Sequence, residues 1–510
     1  MLNQDESALI RTILGPRLTQ IVHGELSDDS KFQFRSLLTG KAIDKVVNDE
    51  NGAVMNCFIV EAYLSDISDK QVNEIIKELI IKLQIPTNRD FIWLRNDELS
   101  WQRQLRIDNF YRIRLMDIMA DKVLLEKVAS ELRVKLIDRL TAFYDSQYCP
   151  WSNIEISNKC TECIAKLNVT KTEIEGLIQS YKSILDELSD INFRSKLTRS
   201  GHIRLRNNTE LFKDVSPLFG KSYSNTVSSR DLFVRRNLYR LNVLKYLVEK
   251  FSGMELERHW GVVFSLTMCF LDDTQPLVKV EACRNLQQIF LKLIPGDNIL
   301  TRTQVSPVVF GSIVPIILSL PSMTPKETSQ RAIPVAYKTI FDLWNATAES
   351  KQIGKLSMIL NDFICPSLTK VKEYPDLVMI LLRVIDQQLI PAAGDSMILF
   401  RKQILYTVLD LLIDPYIVYS LPVVFESVVI IDHLGLDGLR KRKYDIIGCI
   451  LKLEKRLVRS YGDRETSEES TTQLAKLNQS FESLIVQLDF SSEELEQIRL
   501  AQPRFTYVSE

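Results

Sequence analysis

The sequence predicts an all-α fold, an α-solenoid of HEAT-like helical hairpins with a divergent N-terminal helical half. Three observations carry this: apolar residues fall at helical spacing wherever a pattern is legible, helix-start signals stand at the head of those stripes, and turn formers are scarce. The 510 residues include only 17 glycines and 17 prolines, against a usual 7% and 5% or so, and an all-β chain needs more turns than that. At roughly 150 residues per domain the length allows about three units or one continuous stack of repeats.

Taken in order, Val72, Ile75, Ile76, Leu79, Ile80 and Leu83 follow the i, i+3, i+4, i+7 rule and stop before Pro86, which cannot continue a helix. Residues 1–193 are read as an N-terminal helical region. Residues 194–231 carry no helical spacing and read as a linker; between 194 and 230 stand eight lysines and arginines against two acids. Residues 232–460 read as HEAT-like helix pairs of roughly 40 residues. The clearest pair spans 258–295, with Trp260, Val263, Phe264, Thr267, Met268 and Leu271 on its first helix. Its second helix carries Val278, Ala282, Leu286, Ile289, Phe290 and Leu293, and the aspartates of the turn Asp272-Asp273 are expected to cap it. Thr324-Pro325-Lys326-Glu327 has the form of a capping box with proline at the first helical position. Further on, Ile404, Leu405, Val408, Leu411 and Leu412 form the next stripe. Residues 461–473 are polar and acidic and are expected to be a mobile loop. The C-terminal helices fill 474–510, on Leu474, Leu477, Phe481, Leu484, Ile485 and Leu488, with Ser491-Ser-Glu-Glu494 starting the last one.

Composition narrows the function. Lysine plus arginine (64) nearly balances aspartate plus glutamate (65), so no overall positive field draws the chain to phosphate backbones, and no nucleic-acid partner is expected. No run reaches the 18 or more uninterrupted apolar residues of a membrane span, since Leu411–Ile431 is broken by Asp414, Pro415 and Glu426; no membrane partner is expected. Met1–Ile10 carries two acids and no basic segment, so a signal peptide is not expected. Eight scattered cysteines are too few for a disulfide framework and are expected to be reduced.

The chemical vocabulary is thin. Cys160-Thr-Glu-Cys163 is a C-x-x-C, but four ligands make a tetrahedral zinc site and the only nearby sulfur is Cys149, so two thiols on a helix is the simpler reading. Gly220-Lys221-Ser222 lacks the first glycine of a phosphate-binding loop, Val215 standing in its place. Four histidines, no H-E-x-x-H and no G-x-S-x-G leave no catalytic residues, metal or cofactor to assign. Arg440-Lys441-Arg442-Lys443 is a basic patch that fits an acidic partner, a nuclear-localisation signal or a solvated helix face.

One stretch resembles a known family. His259-Trp260, Leu271-Asp272-Asp273, Val278-Lys279, Leu286, Phe310, Leu320-Pro321-Ser-Met-Thr324-Pro325, Ser329 and Pro334-Val-Ala-Tyr337 stand in the order and approximate spacing of the Tel-two-interacting protein two family, and Leu412-Ile-Asp-Pro-Tyr416 is similar too. The chain departs from that pattern at Glu281, where a glycine is expected, and at Thr303–Ser306. The resemblance implies a helical scaffold without catalysis that binds Tel-two-like and Tti-one-like subunits. It also implies an indirect link to phosphatidylinositol-3-kinase-like kinases and the ninety-kilodalton heat-shock chaperone, in cytoplasm and nucleus. It makes His259, Trp260, Asp272, Asp273, Lys279, Leu320, Pro321, Thr324, Pro325 and Tyr337 the candidate partner-binding or family-motif residues. Another HEAT-type adaptor of transport or trafficking is the nearest alternative, and a helical hydrolase a more distant one.

Overall fold

The computed structural model describes residues 53–63, 67–83, 100–121, 128–145, 151–190, 236–273, 275–349, 352–435, 439–461 and 468–501, with residues 46 and 85. Every element among them is helical. The chain divides into two compact units, 1–273 and 274–510.

In the first unit the described helices are α1 (Ala53–Tyr63), α2 (Asp69–Lys82), α3 (Ser100–Asp121), α4 (Ser130–Thr141), α5 (Ile154–Lys166), α6 (Lys171–Asp190), α7 (Arg240–Lys250), α8 (Gly253–Arg258) and α9 (Trp260–Leu271). Of the stripe read from Val72 to Leu83, Val72, Ile75, Ile76 and Leu79 are the buried face of α2, Leu83 is buried at its C-terminal cap and Ile80 is half-buried. Its start is a capping box that the pattern alone did not single out: the Gln71 N–H donates to the Ser68 hydroxyl and the Gln71 amide oxygen accepts from the Ser68 N–H. Neighbours pack in relay, α1 on α3, α3 on α5, α2 on α4, α4 on α6 and on α7, and α6 and α7 on α9. Polar ties reinforce the relay where charge is buried. Arg114 on α3 pairs with Glu61 on α1 at 3.3 Å, and Lys159 and Lys166 on α5 reach Asp117 at 2.8 and 2.7 Å.

The expected linker 194–231 lies outside the described residues, but the structure divides the chain elsewhere. Helices α7 to α9 belong with the N-terminal unit because Asp138 on α4 gathers both sides: it accepts from the Tyr181 hydroxyl at 2.7 Å, from the Tyr239 hydroxyl at 3.1 Å and from Arg240 at 3.4 Å. Asn242 donates to the Ala142 carbonyl and Lys245 pairs with Asp145 at 2.6 Å. The boundary therefore falls inside the helix pair expected at 258–295, and its two helices are buried each within its own unit.

In the second unit the helices are α10 (Pro276–Leu291), α11 (Ile299–Thr303), α12 (Ser306–Ile317), α13 (Lys326–Ala346), α14 (353–370), α15 (375–393), α16 (Met397–Leu412), α17 (Leu421–His433), α18 (Lys443–Tyr461), α19 (Glu468–Gln487) and α20 (Ser492–Ala501). One row runs α10, α13, α15, α17, α19, each packed on the next, while α16 lies on α17 and α18. Within this unit contacts link near neighbours, the pattern of a helical-repeat stack. Row helices begin at Pro276, Lys326, Pro375, Leu421 and Glu468. Each interval exceeds the forty residues expected; α11 lies in the first, and short 3-10 turns at Gly394–Ser396, Ile417–Tyr419 and Arg440–Arg442 lengthen the last two.

Two helices widen to π turns at Ile359–Ile364 and Ile385–Leu389, where Cys365 and Ile390 donate to carbonyls five residues back. Pro366 and Pro391 follow at once; a proline has no N–H to give and its ring crowds the carbonyl one turn earlier, so the helix relaxes just ahead of it. By length and composition the stretch Pro375–Leu412 could cross a membrane. The backbone turns at Gly394 with φ 48, a left-handed conformation that suits glycine, and each half is a separate shorter helix with a buried face.

Three local expectations are corrected. Gln275, not an aspartate, is the N-cap residue of α10, and no side chain caps there; Pro276 at the first turn has no N–H needing a partner, while Asp272 ends α9. Helix α13 begins at Lys326 with Pro325 as its N-cap residue and no side-chain cap, because the Thr324 N–H donates back to the Leu320 carbonyl and closes the preceding turn. Helix α19 begins at Glu468, inside the span 461–473 expected to be loop; residues 462–467 lie outside the described residues. Lack of an apolar stripe does not preclude a helix, and glutamate is a good helix former. The stripe Ile404–Leu412 is buried as read, and of the stripe Leu474–Leu488 all but the half-buried Leu474 is buried. The last helix starts as read: the Ser491 N–H donates to Glu494 at 2.7 Å and the Glu494 N–H to the Ser491 hydroxyl at 3.3 Å.

Candidate partner-binding surface

The family-like residues are largely packing and turn residues. In the first unit Trp260 is 1% exposed and stacks on Phe264 with ring centroids 4.2 Å apart. Its indole N–H has no hydrogen-bond partner among the described residues. His259 stands between α8 and α9, stacks on Phe251 at 5.3 Å and lies 3.4 Å from Glu175. Asp272 is half-buried and Asp273 buried.

In the second unit Lys279 is half-buried on α10 and Leu320 is buried. Pro321 to Pro325 form a turn in which Ser322 has φ 88 and Met323 is 92% exposed; Thr324 is half-buried. The turn is anchored from behind by the Ser329 hydroxyl, which donates to the Ser319 carbonyl at 2.7 Å. Tyr337 is fully buried, its hydroxyl has no hydrogen-bond partner among the described residues, and burial raises its pKa. Phe310 stacks on Trp344 at 5.9 Å. The 321–325 turn, with Ser322, Met323 and Pro325 exposed, is the part most open to solvent.

The C-x-x-C lies on α5 with both sulfurs buried. Cys160 donates to the Leu140 carbonyl at 2.8 Å, and burial pushes its thiol well above the usual range. A thiol held protonated is a poor nucleophile and a poor metal ligand.

The basic quartet is divided in its work. Arg440 lies 3.8 Å from Asp489, Arg442 sits over the Tyr406 ring at 5.9 Å, and Lys443 pairs with Glu494 at 2.7 Å and stands 5.0 Å from the Phe490 ring. Those contacts tie the start of α18 to the start of α20. Glu494, which also accepts from the Tyr444 hydroxyl, is held down at about 2 by these donors. Lys441 is exposed. Beyond the quartet, Lys452, Lys455 and Arg459 are exposed on one face of α18, opposite the buried Ile446, Ile447, Ile450, Leu453 and Leu457. Sequence reasoning stopped at the contiguous quartet and missed them; the signal was basic residues at i, i+3 and i+7 on the side away from the apolar stripe.

Beside the C-terminal half of α18 the loop after α16 carries Tyr416, 78% exposed, and Tyr419, 68% exposed. It is fixed there by Arg456, which donates to the Ile413 carbonyl, and by the Tyr461 hydroxyl, which donates to the Val418 carbonyl at 2.9 Å. The Tyr416 N–H donates to Asp414 at 2.9 Å, an Asx turn that sets the loop's shape.

Taken together these features define a class: an all-helical repeat protein whose exposed aromatic and basic residues suit contact with other proteins. The model of the Tti2 family matches residues 136–419, more than half of the chain, and the chain belongs to that family. Membership supports a role connected with the triple-T complex and with protein interaction. No curated protein matches the chain. Among solved structures it is similar to a karyopherin, Kap121p bound to the SUMO protease Ulp1p, with 11% identity and a TM-score of 0.33 over 98% of this chain and 50% of that one. The chain thus spans about half the length of that karyopherin.

Proposed function

We propose that the chain is a non-catalytic scaffold and cochaperone subunit of a triple-T-like complex. In this reading it binds Tel-two-like and Tti-one-like subunits and supports maturation and stability of phosphatidylinositol-3-kinase-like kinases with the ninety-kilodalton heat-shock chaperone, in cytoplasm and nucleus. The observation that carries the reading is the family match over 136–419. A stack of helices supports it physically, because consecutive repeats supply the large area, commonly about 1,600 Å² or more, that a stable subunit interface buries.

The test is affinity purification of the full chain from cells, with identification of the co-eluting proteins. Tel-two-like and Tti-one-like subunits should co-elute in near-stoichiometric amounts. Their absence, with transport or trafficking proteins in their place, would move the chain to the other adaptor class. This reading puts the Tti-one-like subunit on the C-terminal repeats, so 274–510 should capture it and 1–273 should bind it weakly or not at all. The cut belongs at 273 because a cut at 231 would strip α7 to α9 from Asp138, Ala142 and Asp145.

A further inference from the structure

We propose that the solvent face of α18, with Lys452, Lys455 and Arg459, together with Tyr416 and Tyr419, is a docking surface for an acidic protein segment that carries an apolar anchor. This goes beyond the assembly role and stands whichever sister subunit the chain binds.

The charge argument comes first. The chain as a whole has a formal charge of −1, yet from Arg440 to Arg459 the acids are only Asp445 and Glu454. Glu454 is buried, and Asp445, exposed near the start of α18 and away from Lys452 to Arg459, accepts from the Tyr406 hydroxyl at 2.7 Å. Lys452, Lys455 and Arg459 are exposed and form no ion pair among the described residues. At 1.5 Å rise per residue, the stripe from Lys452 to Arg459 is about 10 Å long, matching about three residues of extended chain.

At the far end stand the two tyrosines, on a loop whose backbone is fixed by Arg456 and Tyr461. Exposed aromatic rings on a rigid backbone lose little conformational freedom on binding, and tyrosine and arginine are the residue types that dominate interface energetics. A row of cations ending in two held aromatic rings fits a segment with carboxylates along its length and an apolar side chain at one end.

Charge complementarity also decides against a nucleic acid. Asp410, exposed, and Asp414, half-buried, flank the aromatic end. A phosphate chain would meet them with like charge, whereas a peptide can place an uncharged residue there. The near-zero net charge supplies no long-range attraction for a polyanion. One helix face is also smaller than a stable interface requires, so this surface speeds and selects encounter with a partner held elsewhere, and its binding is sensitive to salt.

The experiment uses the full chain and a fluorescein-labelled peptide of about twelve residues, longer than the stripe needs, with an Asp/Glu tract followed by Leu-Phe. Fluorescence anisotropy reads affinity as salt is raised. Wild type should bind, more weakly at higher salt. K452E/K455E/R459E should weaken binding about 10-fold or more, three like-charge contacts being introduced. Y416A/Y419A should weaken the anchored peptide and leave oligoglutamate unchanged. Thermal melting checks that each variant is folded, and K452Q/K455Q/R459Q, expected to weaken in the same direction, replaces the reversal if that variant is not. The proposal is overturned if wild type does not bind, if neither charge variant weakens binding, or if Y416A/Y419A has no effect on the anchored peptide. It is also overturned if single-stranded RNA or vesicles of anionic phospholipid outcompete the peptide. Sister-subunit capture intact beside any of these results would sink this surface alone.

Discussion

Removing the Asp138 carboxylate tests the arrangement that most changes how the chain divides. Asp138 is 16% exposed at the side chain and holds three donors: Tyr181, fully buried, Tyr239, 6% exposed, and Arg240. Burial raises the pKa of both tyrosines, that of Tyr239 to about 12, so each stays a neutral donor at any ordinary pH. Truncation to alanine strands two hydroxyls and leaves the Arg240 guanidinium with the Asn237 amide oxygen and the Tyr181 and Tyr239 rings but no carboxylate. Breaking a buried charged pair costs about 3–5 kcal/mol; two of the contacts are at 3.1 and 3.4 Å, which places Asp138→Ala near the lower end, at about 3 kcal/mol. Asp138→Asn keeps one acceptor and should cost about 1–2 kcal/mol. Urea unfolding followed by far-ultraviolet circular dichroism reads both. A double-mutant cycle with Tyr239→Phe should give a coupling of about 1 kcal/mol, since the two groups touch. An Asp138→Ala cost below about 0.5 kcal/mol, within the range of a surface substitution, or a coupling of zero, would detach α7 from α4 and return the boundary to the span 194–231.

Other outcomes follow from single side chains. Trp260→Ala should destabilise by about 3–5 kcal/mol, the usual cost of emptying a buried aromatic site, and lower the melting temperature; unchanged stability would mean the ring is not buried in α9's packing. Tyr337→Phe should be neutral or stabilising by up to about 1 kcal/mol, because it removes a buried hydroxyl that has no partner among the described residues, and a clear loss of stability would reveal a partner for it. Burial pushes the Glu454 carboxyl up to about 7, so the folded chain holds that proton more tightly than the unfolded chain does. Its contribution is full below the ordinary carboxylate range and is lost as pH rises through 7, and Glu454→Gln should flatten that part of the stability profile; an unchanged profile from pH 5 to 8 counts against the burial of the charge.

Much of the local structure was legible. The stripes Val72–Leu79, Ile404–Leu412 and Leu477–Leu488, and the start signal at Ser491, became helices with those faces buried. The candidate surface was legible only in part. Arg440 to Lys443 drew attention by contiguity, yet Arg440 and Lys443 pair with Asp489 and Glu494, residues some fifty positions away. The cations left for solvent, Lys452, Lys455 and Arg459, are dispersed in the sequence.

The sequence by itself determined the all-α class, the buried face of each legible helix and the family to which the chain belongs. These are local properties: side chains three and four apart share a helix face whatever the rest of the chain does. Tertiary structure decided where the units divide, which basic residues are tied down and which face outward, and that the family-like residues mostly pack. Asp138 and Tyr239 meet across 101 residues. No periodicity encodes such a meeting, because it depends on which helices stack, and stacking is fixed by the summed burial of many faces at once.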